Sequence, residues 1–93
     1  VYIKQNSLLN GWTRDRIIYE IKEMGFPAFS GSCGEIYLEK SFTKANLAPL
    51  KRLPNAKNLS ESSLMFLVHP TITENQINDY ADAIKNVLLK ASK

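Results

Sequence analysis

The only cysteine of the chain, Cys33, lies in a short segment rich in glycine and serine, GFPAFSGSCGEIYLEK, which spans residues 25–40. Small residues on both sides allow a backbone to turn tightly and to aim several N–H groups at one point. A cysteine in this setting could be a nucleophile, and the segment could instead bind a phosphate. It could also be a simple turn between a strand and a helix. Each of these alternatives requires particular residues elsewhere in the sequence.

A catalytic cysteine needs a base within hydrogen-bond reach and a third group that orients the base. His69 is the only histidine and Glu35 could orient it, but nothing in the spacing brings His69 to Cys33. His69 lies between an apolar run and Pro70, where a packed or capping role is more typical. One cysteine, one histidine and scattered carboxylates also lack the ligand spacing of a metal site. The residues therefore favour neither a cysteine hydrolase nor a metal centre.

The glycines of residues 30–35, SGSCGE, fit neither the dinucleotide-binding fingerprint nor the P-loop, which ends in Gly-Lys-Ser/Thr. A nest of backbone N–H groups for one phosphate stays open. A basic segment without acidic residues follows between positions 40 and 57. It could bind an anion such as a diphosphate, or it could be a solvated loop. Its basic side chains are Lys40, Lys44, Lys51, Arg52 and Lys57.

Composition restricts the class of protein further. The chain has 93 residues, of which 44% are hydrophobic and 23% charged, with a net charge of +3. These values are ordinary for one soluble domain, and no stretch approaches the roughly 18 apolar residues of a membrane span. A single cysteine forms no internal disulfide, and no signal peptide is apparent, so we predict a cytoplasmic protein that contacts no membrane. No RNA-binding motif accompanies Tyr37 and Phe42, so we expect no nucleic-acid partner. The start at Val1, inside a predicted strand, indicates a piece of a longer protein.

Element signals are clear at several points. Residues 1–5 alternate in polarity, which predicts a short strand. Thr13 is a good N-cap for a helix that ends at Gly25, and a short strand is predicted over residues 27–30. Thr73 and Gln76 form a capping box for a final helix over about residues 74–89.

The middle of the chain is predicted to contain an irregular loop, a short helix and a strand. The loop covers residues 43–53 and could contain a helical turn. The helix follows at Pro54, with Asn55 as its cap and Leu59 facing inward. The apolar run of residues 64–68 predicts a strand that is covered on both faces or central in its sheet. The whole predicts an α+β fold: a small two-layer sandwich of about three mainly antiparallel strands packed against helices.

Two stretches resemble a known family: Arg14-Asp15 followed by IIYEIKEMGF, and RLPNAKNLSESSLMFLVHPTITENQINDYADAIKNVL over residues 52–88. They are similar to the C-terminal small domain of the DegT/StrS-type nucleotide-sugar aminotransferases. That domain ends in a Leu-Pro-x-Ala-x-x-Leu-Ser-Glu helix, an apolar strand, a proline and a Thr-capped final helix. The matching positions are Leu53, Pro54, Ala56, Leu59, Ser60, Glu61, Leu64, Leu67, Pro70, Thr73, Ile77 and Ile84.

The resemblance implies that residues 1–93 are the small domain of an enzyme with the aspartate aminotransferase fold (fold type I), whose large domain binds pyridoxal 5'-phosphate (PLP). The family's Schiff-base lysine follows a Ser-Gly-His-type context, which none of the nine lysines here has. The fragment alone is therefore expected to be inactive and to bind no cofactor. The full-length protein is expected to aminate a keto-deoxysugar nucleotide for polysaccharide or lipopolysaccharide biosynthesis, with an amino donor such as glutamate, as a homodimer. The alternative is a stand-alone anion- or protein-binding α+β module without catalysis.

The resemblance also assigns roles to residues. The segment after the Gly25 turn would reach the mouth of the active site and form the rim of the substrate site. Where many members have a Tyr-x-Pro-Leu-His-like stretch, this chain has Ser-Gly-Ser-Cys at residues 30–33, which predicts a subgroup with its own sugar specificity. The rim candidates are Phe29, Ser30, Ser32, Cys33, Glu35 and Tyr37, and the candidates for binding the diphosphate are Lys40, Lys44, Lys51 and Arg52.

Overall fold

A computed structural model describes residues 1–31 and 34–93 of the chain. The described residues form an α+β fold, in agreement with the predicted class. Its helices are α1 (Arg14–Glu23), α2 (Lys40–Lys44), α3 (Pro54–Ser62) and α4 (Glu74–Ala91), its strands are β1 (Ala28–Phe29) and β2 (Met65–Phe66), and 3-10 turns cover Gln5–Ser7 and Ile36–Leu38.

The two helices that carry most of the core begin where the sequence predicts, and they end within two residues of the predicted positions, α1 at Glu23 and α4 at Ala91. The Thr13 side chain accepts a hydrogen bond from the Arg16 N–H at the start of α1. After α1, Gly25 has a φ of +89°, the left-handed conformation that glycine adopts without strain. At the start of α4, Thr73 Oγ1 accepts from the Gln76 N–H at 3.2 Å, and Gln76 Oε1 accepts from the Thr73 N–H at 2.9 Å. The predicted capping box is confirmed.

The sheet is smaller than predicted. Strands β1 and β2 pair antiparallel, with Ala28 opposite Phe66. Residues 1–3 lie alongside residues 62–64 through an isolated bridge between Tyr2 and Ser63, supported by a hydrogen bond from the Ile3 N–H to the Ser62 carbonyl at 2.8 Å. In the described residues the prediction of about three strands is therefore wrong by one strand. The reason is local: the backbone turns into a 3-10 helix at residue 5, before it can extend the ladder.

The apolar run of residues 64–68 is covered on one face only. Leu64 is 3% exposed, whereas Met65 is 46% and Leu67 49% exposed. Because successive side chains of a strand point to opposite faces, Leu64 and Phe66 face the helices while Met65 and Leu67 face outward. The prediction of a strand buried on both faces is wrong. Phe29, opposite Met65, extends the same open face of the sheet.

The core lies between the sheet and helices α1 and α4. Among the described residues, the largest fully buried side chains are Ile17, Ile21 and Val87. Tyr80 closes one end of the core. Its ring stacks on Phe26 at 5.1 Å between centroids, and its hydroxyl donates to the Pro27 carbonyl.

Two predictions for the middle of the chain are corrected. Helix α3 has Leu53 as its N-cap, because Pro54 occupies the first turn, where its missing N–H has no cost. Asn55 is therefore inside the helix and is not its cap. Leu59 is 49% exposed, since the inward side of α3 carries small residues such as Ser62. The predicted loop of residues 43–53 also overlaps α2, which extends to Lys44.

Within residues 1–31 and 34–93, no helix combines the length and the apolar character that a membrane crossing demands.

Candidate substrate-site rim

Residues 36–53 form a projection from the body, which we call the arm. It consists of the 3-10 turn Ile36–Leu38, helix α2 and the loop that leads to α3. Its backbone is held by local hydrogen bonds, such as that from the Leu47 N–H to the Phe42 carbonyl at 3.0 Å. The radius of gyration of the molecule is 16.0 Å. A compact domain of this length would have about 12 Å. A projecting arm accounts for the excess.

The base of the arm is closed by three side chains from its two ends. Arg52 Nε donates to Glu35 Oε2 at 3.0 Å, and a terminal guanidinium nitrogen of Arg52 donates to Glu35 Oε1. The Tyr37 hydroxyl donates to Glu35 Oε2 at 2.5 Å and accepts from the Leu53 N–H at 2.9 Å. We call Glu35, Tyr37 and Arg52 the clamp, because together they join residues 35–37 to residues 52–53.

The electrostatics of the clamp favour its charged form. The side chain of Glu35 is only 5% exposed, so its charge depends on its partners. The guanidinium of Arg52, followed by the hydroxyl of Tyr37, lowers the pKa of Glu35 to about 2. Burial, together with the hydrogen bond to Glu35, raises the pKa of Tyr37. The carboxylate therefore stays ionised, and the phenol protonated, across the physiological range.

The basic segment gains acidic partners from outside its own residues. Arg52 pairs with Glu35, and Lys57 lies 3.9 Å from Glu61 one turn along α3. In the part of the chain that the structure describes, Lys40, Lys44 and Lys51 form no salt bridge, and all three are exposed. The arm therefore carries three solvated lysines, while the charge of Arg52 is balanced at its base.

Residues 30, 31 and 34 of the predicted rim lie beside a small polar cavity. Phe29 lies on the open face of the sheet, with Lys22 Nζ 5.3 Å from the centre of its ring. The carbonyl of Ser30 accepts from the Ser63 hydroxyl at 2.7 Å. The adjoining cavity, of about 250 Å³, is rich in hydroxyl groups, which suit a hydroxylated ligand. Its lining residues are Tyr2, Ser30, Gly31, Gly34, Leu59, Ser60 and Ser63.

Gly34 has a specific reason to be glycine. A Cβ at this position would come within 2.1 Å of the Ser60 hydroxyl oxygen and 2.5 Å of the Ser60 Cβ. The rim segment therefore passes directly against α3, closer than a residue with a side chain would permit.

Of the remaining predicted residues, Ser32 and Cys33 lie outside the described residues. The two other members of a hydrolase-like arrangement have different partners. The carboxylate of Glu35 is bound by Arg52 and Tyr37, and His69 Nδ1 lies 2.6 Å from the Thr71 hydroxyl in an exposed turn. The structure thus brings Glu35, Tyr37 and Arg52 together, whereas the hydrogen bond of His69 is to Thr71.

Sequence reasoning missed two contributors to this region. Arg14 donates from Nη1 to the carbonyls of Ser60 and Ser63, at 2.9 and 3.0 Å, and so ties α1 to the end of α3 beside the cavity. Tyr2 lines the cavity from the N-terminal segment. A single Arg-Asp pair before an apolar helix is a weak signal, and no pattern marks Tyr2.

The lysines of the chain do not fit the Schiff-base role that PLP requires. All nine lie in the described residues and all are exposed. A lysine of that kind is activated by an enclosed, desolvated setting. We therefore assign no lysine of this chain to the cofactor and derive no chemical step through it.

The fold and the rim together define a small α+β domain that borders a polar site. In comparisons with known proteins, no protein-family model and no curated protein matches the chain. A solved X-ray structure does: the aminotransferase from Psychrobacter cryohalolentis matches with a TM-score of 0.88 and 52% sequence identity, over 95% of this chain and 22% of that chain. The chain therefore spans about a fifth of the length of the aminotransferase that it is similar to.

Proposed function

We propose that these residues are the small domain of a PLP-dependent aminotransferase of the DegT/StrS type, which aminates a keto-deoxysugar nucleotide for polysaccharide or lipopolysaccharide biosynthesis. The aminotransferase part of this proposal is supported by one observation, 52% identity to an aminotransferase over nearly the whole chain, with a TM-score of 0.88. The DegT/StrS type, PLP and the sugar nucleotide are inferred from the sequence resemblance. The proposed amino donor is glutamate or a similar amino acid, and the proposed assembly is a cytoplasmic homodimer. PLP, bound outside these residues, would supply the electron sink for the reaction.

In this proposal the chain binds and orients the substrate, and it contributes no reacting group. The rim from residue 29 to residue 37 would border the sugar, with Ser30 and the hydroxyl-rich cavity beside it as hydrogen-bonding groups. Ser32 and Cys33 would belong to the same rim. The lysines of the arm, Lys40, Lys44 and Lys51, would face the diphosphate of the nucleotide. Arg52 is bound to Glu35, so its guanidinium supports the arm.

The test is an assay of the full-length protein with PLP, glutamate and a panel of keto-deoxysugar nucleotides, with the aminated product detected by mass spectrometry. We expect amination of at least one sugar nucleotide and none of free keto sugars at the same concentration. Amination of simple keto acids, without amination of any sugar nucleotide, would support an aminotransferase and would contradict the proposed substrate class.

The 93-residue chain provides the matched control. Since none of its lysines fits the Schiff-base role, titration with PLP should give no saturable, stoichiometric absorbance change. Tight binding of one PLP per chain would contradict the proposal. Catalytic inactivity of the full-length protein, combined with tight binding of an anion by the chain alone, would favour the alternative of a stand-alone binding module.

A further inference from the structure

The clamp joins the two ends of the arm through one buried carboxylate. Glu35 directly precedes the arm, and its side chain is 5% exposed. Arg52 approaches both of its oxygens from the far end of the arm, and Tyr37 bridges Glu35 Oε2 to the Leu53 N–H. Bidentate pairs between arginine and a carboxylate fix geometry as well as charge. The arm's orientation relative to the body is therefore set at this point.

Within the described residues, the loop of the arm that leads to the clamp is weakly packed. Leu47 is 70% exposed and Leu50 is fully exposed, so the loop before the clamp gains little from packing. The hydrogen bonds of α2 are local, for example from the Thr43 N–H to the Glu39 carbonyl. A segment with exposed side chains and local hydrogen bonds has low local stability. Its position then depends on the few contacts at its base.

We propose that Glu35 is a positioning residue of the substrate site: by binding Arg52 and Tyr37 it holds the arm, and with it Lys40 and Lys44, in the orientation that meets the anionic part of the substrate. This inference rests on the proposed function. Although Glu35 lies within the proposed rim, its carboxylate is bound by Arg52 and Tyr37 and does not bind the substrate. It acts through Arg52, whose guanidinium is the tether.

The experiment uses the full-length protein and compares Glu35→Gln with Glu20→Gln. The control removes the same charge from an exposed surface pair, since Glu20 lies 3.7 Å from Arg16 on α1, outside the arm. The first readout is the rate of limited trypsin cleavage after Lys40, Lys44 and Lys51, followed by mass spectrometry. We expect E35Q to raise these rates several-fold and E20Q to leave them unchanged. Unchanged rates in E35Q would show that Glu35 does not hold the arm.

The second readout is the kinetics with the sugar nucleotide. We expect E35Q to raise the KM several-fold and to keep kcat within about a factor of two, since the reacting groups lie elsewhere. A looser arm with an unchanged KM would overturn the positioning role. Tyr37→Phe, which removes only the bridging hydroxyl, provides a milder variant and should change both readouts in the same direction, so the inference stays testable if E35Q does not fold.

A double-mutant cycle with Arg52→Gln tests whether Glu35 acts through Arg52. If it does, the cleavage rates and the KM of E35Q/R52Q should not exceed those of the more damaging single variant. The reason is that all three variants lose the same interaction. Additive effects would contradict the tether. A wild-type protein that aminates no sugar nucleotide would overturn the proposed function and the catalytic part of this inference, while the cleavage rates would still decide whether Glu35 holds the arm.

Discussion

At the scale of single residues, the most unusual feature of this chain is the buried carboxylate of Glu35. A carboxylate that is almost fully buried is rare unless charged partners compensate for its lost hydration. Here Arg52 and Tyr37 do so, and Lys57 adds a weaker attraction from α3. The contacts with Arg52 and Tyr37 account for most of the lowered pKa of Glu35 and are also the contacts by which it would hold the arm. Function and stability therefore depend on one side chain.

The pKa of Glu35 predicts how stability depends on pH. Because folding lowers this pKa from about 4.5 to about 2, the unfolded chain takes up the proton first as the pH falls. The contribution of Glu35 is therefore complete above about pH 4.5 and is lost progressively as the pH falls to about 2. We expect the urea midpoint of E35Q to lie below that of the wild type near neutral pH, and the two midpoints to converge towards pH 2. Midpoints measured across this range, with E20Q as the control, check the prediction. A constant gap between wild type and E35Q would contradict it.

Sequence patterns predicted the helix ends and named Glu35 and Arg52 as site candidates, but they missed the contact between these two residues for a physical reason. Thr13, Gly25 and Thr73 act through neighbours within a few positions, so their roles can be read from local spacing. Glu35 and Arg52 are 17 positions apart and meet only because the arm folds back. No sequence periodicity or spacing rule predicts such a contact. The sequence therefore does not indicate that Glu35 balances the charge of Arg52.

At the scale of elements, Arg14 links α1 to α3. Its guanidinium, 13% exposed, donates to two carbonyls at the end of α3, where the helix dipole favours a positive charge. These carbonyls belong to Ser60 and Ser63, which also line the polar cavity. The link therefore fixes the wall of the site as well as the helix.

We expect Arg14→Met to lower the free energy of unfolding by about 1–3 kcal/mol, because the two hydrogen bonds to the α3 carbonyls are lost together with the pair between Arg14 and the exposed Asp15. Arg16→Met is the matched control. Arg16 is half exposed and lies 4.3 Å from the centre of the Trp12 ring, so its loss should cost about 1 kcal/mol or less. Urea unfolding followed by far-UV circular dichroism compares the two. Equal losses would show that the α1–α3 link contributes nothing beyond a surface arginine.

The elements themselves show which predictions a sequence permits. Helices α1 and α4 were predicted with their caps, because capping residues and 3.6-residue periodicity are local signals. The apolar run at residues 64–68 correctly predicts a strand, β2, but the prediction that both faces of this strand are buried is wrong. Alternation between faces is hidden when every residue is apolar, and only the packed helices decide which face is covered. The third strand, predicted over residues 1–5, does not form in the described residues, because a 3-10 turn that begins at residue 5 ends the extended segment.

At the scale of the whole molecule, the charges of the arm lead to a prediction for the full-length protein, which rests on the proposed function. Lys40 and Lys44 are exposed and form no salt bridge with the described residues. If they face the diphosphate, K40Q/K44Q should raise the KM for the sugar nucleotide several-fold and leave kcat within about a factor of two, as expected for uniform binding. The dependence of KM on salt should also become flatter, since exposed charge contacts are screened.

KM measured at low and high ionic strength checks this prediction. Lys85→Gln and Lys90→Gln together are the control, because they remove two exposed lysines from α4, which lies outside the arm. An unchanged KM and an unchanged salt slope in K40Q/K44Q would identify the arm as a solvated loop. An equal effect of both pairs would point to a general loss of positive charge.

The shape of the molecule has a consequence for how it opens. Its extents are 49 × 35 × 18 Å. A helix with its side chains is about 10–12 Å across, so the short dimension holds one layer of helices on one sheet. The interior is therefore a single plane of side chains, with Ile17, Ile21 and Val87 at its centre. Water that separates α1 from α4 reaches every one of these residues in the same event. Amide hydrogens along the facing sides of the two helices should thus share one free energy of opening, that of complete unfolding, whereas those of the arm should open at a much lower free energy.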